Sequence, residues 1–346
     1  MGCIVFLRFM ISFFMHPFFP HLCNPMSLNP TSIIAYSRLR RRQFKQKARS
    51  GSLAYFALFL TSFVWGTTWV ASKIGIQGIH PLFFSAIRQT LGGSCFLLFF
   101  LIIGKAVWPT PKQWGQVLLL AFFLFVTSNG LTTWGIKYIS SGLGAILGAI
   151  FPLVVAIIDW ITGYHKKPNL IAIIGLVLGF AGVAIIFYDH LEDFANPEFR
   201  FGILLSFTAA ITWAIGTVIT ARTSNGLNRY YALGLQMFLA GTILFIVSGI
   251  AGLSMPFSEV PANSWKALGY MVIMGSVITF GALLYSLQHL PTTIASLYAY
   301  FNPMVAVVAG HFILNEPWSL VLLLGAIITV GGVFLVNYAY RKTVDD

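Results

Sequence analysis

The sequence predicts an all-α integral membrane protein with ten transmembrane helices arranged as two inverted five-helix repeats. Composition, the spacing of long apolar runs and an internal repeat predict it. Of the 346 residues 58% are hydrophobic and 9% charged, with a mean hydropathy of +0.83, where soluble domains carry about 25% charged residues. Apolar runs of about 20 residues, long enough to cross a bilayer as helices, fall at 53–72, 82–103, 115–133, 142–161, 170–188, 201–221, 230–250, 266–286, 293–314 and 319–339. None alternates polar and apolar residues as barrel strands do.

Taken in order, the first run carries hydroxyls and tryptophans among Leu, Phe and Val. The second holds Arg88, and the third ends in TSNGLTTWG. The fourth contains Pro152 and ends near Asp159; the fifth is glycine-rich. The sixth repeats the tryptophan and threonines of the first, and the seventh places Gln236 where the second has Arg88. The eighth carries Ser276, Thr279 and Tyr285. The ninth, TIASLYAYFNPMVAVV at 293–308, is the most polar, and the tenth closes the chain on glycines.

Charge sets the expected topology. Lys and Arg cluster before the first run, from Arg38 to Arg49, and recur at Lys105 and Lys112, Lys166 and Lys167, Arg222 and Arg229, Arg341 and Lys342. Fifteen of the 21 basic residues thus lie on one side of the membrane, which predicts cytoplasmic termini in the plasma (inner) membrane. The net charge of +12 therefore reads as a topology signal, and no nucleic-acid partner is expected. Residues 1–52 are expected to be a basic, poorly ordered extension, its basic cluster touching anionic lipid heads. Residues 53–188 and 201–340 form the two repeats.

The repeat is visible by self-comparison. FVWGTTWVASK at 63–73 aligns with ITWAIGTVITA at 211–221, an offset of 148 residues that pairs Trp65 with Trp213, Arg88 with Gln236 and Gly93 with Gly241. Further on, Pro152 pairs with Pro303, Gly175 with Gly325 and Gly182 with Gly332. Five spans per copy is odd, so the second copy enters the membrane from the opposite side. Inverted repeats sharing a midplane site are the common architecture of secondary transporters.

These features resemble the EamA-type transporters of the drug/metabolite transporter (DMT) superfamily. The resemblance rests on a tryptophan in the first helix of each repeat, the arginine of span two, the proline of each fourth helix and the closing NEPWSLVLLLGAIITVGGVFLV at 315–336. It covers about residues 53–340. It implies a ten-helix basket with a central cavity lined mainly by helices 1, 3, 4, 6, 8 and 9, in a family whose members commonly export amino acids and other small metabolites. The chain departs from the pattern where His165 stands at the place matching Glu316, so a role for that glutamate carries over to the second half only.

Helical geometry, at 100° per residue, selects candidate cavity residues. Trp65, Thr68 and Trp69 share one face of span one; Trp213 and Thr217 share one face of span six. Asn129 and Thr133 share a side of span three, and Tyr285 belongs to span eight. On span nine Ser296 and Tyr300 lie on one side, with Tyr298 and Asn302 nearly opposite, and the pattern leaves open which side faces the pathway. Pro152 and Pro303 each remove a backbone donor and predict helix kinks. Small residues four apart, Gly144 and Gly148, predict close helix contact.

Ionisable groups inside a membrane are few and informative. His311, Asp159 and Glu316 are candidates for ion or proton coupling, and Arg88 for a structural or carboxylate-pairing role. No metal or cofactor is expected: Cys3, Cys23 and Cys95 form no CxxC pair and the seven histidines show no ligand spacing. The expected partners are membrane lipids and a small-molecule substrate, with a homodimer as the expected assembly. The function these features predict is secondary active transport of small organic metabolites, amino acids or related compounds, outward, by alternating access. An enzyme acting on membrane lipid is the alternative, but nine acidic residues spread over loops and tails give no clustered acid and base, so no enzymatic activity is expected. A non-transporting sensor or scaffold is the other.

Overall fold

The computed structural model describes residues 30–162, 169–223, 226–290, 298–317 and 319–345, with side chains described between residues 52 and 339 apart from 189, 288 and 299. Among the described residues nine helices are long and apolar enough to cross a membrane, and Tyr300–Leu314 is a shorter apolar helix. They account for the ten expected spans: α1 (Pro30–Gly75), α2 (Pro81–Ile102), α3 (Pro111–Gly135), α4 (Ser141–Ile161), α5 (Leu170–Asp189), α6 (Pro197–Arg222), α7 (Arg229–Ile250), α8 (Ala262–Leu287), α9 (Tyr298–Leu314) and α10 (Leu320–Asp345). The apolar span of α1 is Ser52–Gly75. Helix continues toward the amino terminus through the basic cluster, beyond the start that hydropathy gave.

Most of the helices begin where the sequence offers a cap. Thr110 and Gln113 form a capping box ahead of Pro111, and the Ser140, Asn169 and Ser319 side chains accept the first free N–H groups of α4, α5 and α10. Such side chains satisfy amides that a helix start leaves without partners. Glycines close the turns. Among the described residues the four with positive φ, Gly78 and Gly226, Gly104 and Gly252, form two pairs at the offset of the sequence repeat, so the two halves turn in the same way at these places.

Two antiparallel crossings tie the halves together. α2 packs on α7, where a methyl on Gly93 would lie 2.8 Å from the carbonyl oxygen of Gly234. α5 packs on α10 in the same manner, with Gly175 facing Gly332 and Gly182 facing Gly325. In lipid there is no hydrophobic drive between helices, and close backbone approach at small residues supplies the packing instead. The remaining helices enclose the centre of the molecule.

Helices α3 and α8, counterparts in the two repeats, each carry a π-helical stretch, at Ala121–Asn129 and Met271–Ile278. Side chains satisfy carbonyls five residues back: Asn129 Nδ2 donates to Leu124 and Thr279 Oγ1 to Met274. Such bulges recur at functional sites. Pro152 breaks α4 between Gly148 and Phe151, as expected of a residue without an N–H. Its counterpart Pro303 lies within α9 without interrupting it.

Candidate functional site

A cavity of about 150 Å³ lies where α1, α3, α4, α6, α8 and α9 meet, the six helices the resemblance implied, and α2 adds Arg88. α1 supplies Trp65, Thr68, Trp69 and Ser72, spaced so that all four point one way. Trp65 stands edge-on to Phe280 and to Tyr298, with ring centres 5.1 Å away in both cases, and its indole N–H donates to the Gly275 carbonyl at 3.0 Å. Trp69 donates to Asn302 Oδ1 at 2.9 Å. Its ring rests on Gly144 and Gly148, where a methyl would lie 3.1 Å from ring atoms. The small residues of α4 thus seat an indole at this point.

The wall has a polar and an apolar part. α3 brings Ser128, Asn129, Thr132 and Thr133, all near the π stretch, and α6 brings Trp213. Thr68 and Thr133 donate to carbonyls of their own helices, at 2.6 and 2.9 Å, leaving hydroxyl oxygens as acceptors.

Beyond the cavity, two polar contacts stand at opposite ends of α4. At its start, the Glu316 carboxylate accepts from the Ser141 amide (2.8 and 3.0 Å) and from Ser141 Oγ (2.6 Å), with Lys73 Nζ 3.9 Å away. Lys73 also donates to the Ile139 carbonyl, and His311 Nδ1 lies 3.0 Å from the Glu316 carbonyl. At the other end of α4, Arg222 of α6 donates to Asp159 at 2.5 Å and to Thr162 Oγ1 at 2.8 Å.

The structure therefore brings Trp65, Thr68, Trp69, Asn129, Thr133, Trp213, Pro303 and Arg88 to one cavity, and sets other candidates apart from it. Tyr300 is buried against α10, where its hydroxyl donates to the Val333 carbonyl at 3.3 Å and receives a bond from Asn337; Tyr298 and Asn302, on the opposite side of α9, face the cavity instead. Tyr285 packs against Ala54 and Leu58 and stacks on His289. Thr217 donates to the Trp213 carbonyl and lies outside the lining. Pro152 lies one residue from Phe151, which does line the cavity. Asp159, Glu316 and His311 belong to the end contacts. Ser296 and His165 lie outside the described residues, as do Thr292 and Thr293. Lys73, Ser141 and Arg222 were missed as participants; only the apposition of distant segments reveals them.

Ten apolar helices in two repeats around a central cavity define a multi-pass integral membrane protein of the transporter class. The chain belongs to the EamA-like transporter family, whose profile matches residues 52–188 and again 200–338. It is 28% identical over 295 residues to the uncharacterized transporter YvbV of Bacillus subtilis, covering 84% of this chain and 92% of that one. It is 29% identical over 283 residues to the uncharacterized inner membrane transporter YedA of Escherichia coli K12, covering 81% and 89%. A WAT1-related chloroplastic protein of Arabidopsis thaliana is 28% identical over 294 residues, covering 83% of this chain and 70% of its own. A crystal structure of a protein 15% identical superposes with a TM-score of 0.58, over 85% of this chain and 99% of the other, and shares the fold.

Proposed function

We propose that the chain is a secondary carrier that exports small organic metabolites, amino acids or related compounds, by alternating access, with both termini in the cytoplasm. The central cavity carries this reading: aromatic rings together with hydroxyls and two side-chain amides, contributed by helices from both repeats. Such a site holds an amphipathic solute, with rings against its apolar part and hydrogen-bonding groups fixing its orientation. A polyanion would demand several cations, and among the described residues the lining holds Arg88 alone.

The end contacts support the alternating part of the reading. With the termini inside, Lys73, Ser141 and Glu316 close the outer end and Asp159, Thr162 and Arg222 the inner end. Each joins segments from the two repeats, so each must part for its own end to open.

Counterflow in proteoliposomes tests the carrier. Vesicles preloaded with mixed unlabelled amino acids are expected to accumulate labelled amino acid, and a Trp65→Ala, Asn302→Ala double variant to lose that uptake. Absence of uptake from folded protein would reject amino acids as cargo.

A further inference from the structure

The Arg88 side chain stands out within the membrane. It sits seven residues past Pro81, about 10 Å along α2, and is 8% exposed, that exposure facing the cavity. Its Nε has no hydrogen-bond partner, and among the described residues no acceptor or carboxylate bonds or ion-pairs with the guanidinium. The two carboxylates of the end contacts are engaged elsewhere: Glu316 with Ser141 and Lys73, Asp159 with Arg222. A guanidinium stays protonated, and a buried cation without a counter-charge is costly.

The fold itself does not require the charge. The corresponding position of the second repeat is Gln236, equally buried at 7% exposure, so the same helix is built there with a neutral amide. Gly275 of α8 lets Thr68 and the guanidinium come close to its backbone: a methyl there would lie 2.8 Å from Thr68 Cγ2 and 3.7 Å from Arg88 Nη2. Thr68 and Ser72 stand on the neighbouring helix, and the rings of Trp65, Phe280 and Tyr298 complete the wall.

We propose that Arg88 anchors a carboxylate on the transported solute, and that the cavity prefers solutes carrying one net negative charge. A carboxylate is planar and takes two parallel N–H bonds from a guanidinium, and it cancels the buried charge. Among the described residues no acidic side chain lines the cavity, so a zwitterion brings an ammonium that meets only neutral acceptors and leaves the total charge uncancelled. Within the metabolites proposed above, the site thus favours small monocarboxylates with an apolar or aromatic body and binds the zwitterionic amino acids more weakly. The proposal rests on the carrier reading for the transport step after binding, but its test is equilibrium binding, so either can fail alone.

Purified full-length protein is titrated with three ligands that share one ring: 3-phenylpropionate, 3-phenylpropanamide and phenylalanine. Quenching of tryptophan fluorescence reports occupancy. The acid is expected to bind about tenfold or more tighter than the amide, the scale of a charge-assisted pair, with phenylalanine between them. Arg88→Gln reproduces the residue of the second repeat and is expected to remove the difference; Arg88→Lys keeps the charge, loses the fork and retains part of it. Equal binding of acid and amide, no binding of the acid, or a preference that Arg88→Gln retains overturns the anchor. Phenylalanine binding as tightly as the acid overturns the charge rule. Should Arg88→Gln fail to fold, the acid and amide on the unaltered protein still decide. Loss of counterflow with an intact acid preference would sink the carrier reading and leave the anchor standing.

Discussion

Trp69 of the first helix and Asn302 of the ninth are joined by a 2.9 Å hydrogen bond across the boundary between the repeats. The indole N–H has a single donor to place, and the wall of a membrane cavity offers few acceptors. Asn302→Leu leaves that donor unpaired, at about 1–3 kcal/mol. The variant is expected to unfold earlier in detergent, and Trp69→Phe combined with it to recover part of the loss. A double variant no better than Asn302→Leu alone would show that the bond contributes little.

Stability of the bundle should depend on glycine at the α5–α10 crossing. A methyl on Gly182 would lie 2.6 Å from the Gly325 carbonyl oxygen, and one on Gly325 2.8 Å from that of Gly182. Backbone cannot step aside as a side chain end can, so Gly182→Val is expected to cost about 3 kcal/mol or more, on the scale of severe overpacking. Gly331, on the same helix but with no atom within 4 Å of its Cβ position, should accept alanine with a gain of about 0.5–1 kcal/mol. Thermal unfolding of the two variants separates them.

Ten spans and two repeats are legible in hydropathy and self-similarity, because burial in lipid writes itself into every residue of a helix. The stripe of Trp65, Thr68 and Trp69 was legible because a helix face is a local property. The facing side of α9 was not, since polar groups lie on both its sides and tertiary packing chose Tyr298 and Asn302 over Tyr300. The π stretches of α3 and α8 were invisible for a related reason: one added residue per turn rotates a face without leaving a compositional mark. The pairing of Lys73 and Ser141 with Glu316 joins residues far apart in the chain, which no local pattern encodes.

His80 should make the start of α2 sensitive to acid. Its Nδ1 accepts the Leu82 amide at 3.3 Å, a bond only the neutral ring can make. Partial burial and, secondarily, the Lys137 charge lower its pKa below the ordinary 6.5, and the helix terminus also disfavours a cation. A base with a lowered folded-state pKa adds stability above the unfolded value and loses it as pH falls from 6.5 through the folded value. Hydrogen exchange at Leu82 is expected to quicken as pH drops through that window, after correction for intrinsic rates. His80→Asn keeps a capping oxygen and should abolish the pH dependence; an unchanged dependence would exclude His80 as its source.

Each end of α4 should control access from its own side. The Glu316 carboxylate holds Ser141 by charge-assisted bonds worth about 1.5–3 kcal/mol, and Arg222 holds Asp159 in the same way at the far end. The helix between them spans 21 residues, about 30 Å, too far for one contact to substitute for the other. Glu316→Gln weakens only the first, Asp159→Asn only the second. A single cysteine at Ser72, in a background whose native cysteines are replaced, reports cavity exposure to membrane-impermeant maleimide. Glu316→Gln is expected to speed labelling from the Glu316 side by about tenfold, the factor for 1.4 kcal/mol, and to leave the opposite side unchanged or slower. Asp159→Asn is expected to do the reverse. If opening one end makes the other less accessible, the two contacts bias a single equilibrium between two states of the bundle; equal acceleration from both sides would show that the substitutions only loosen the fold.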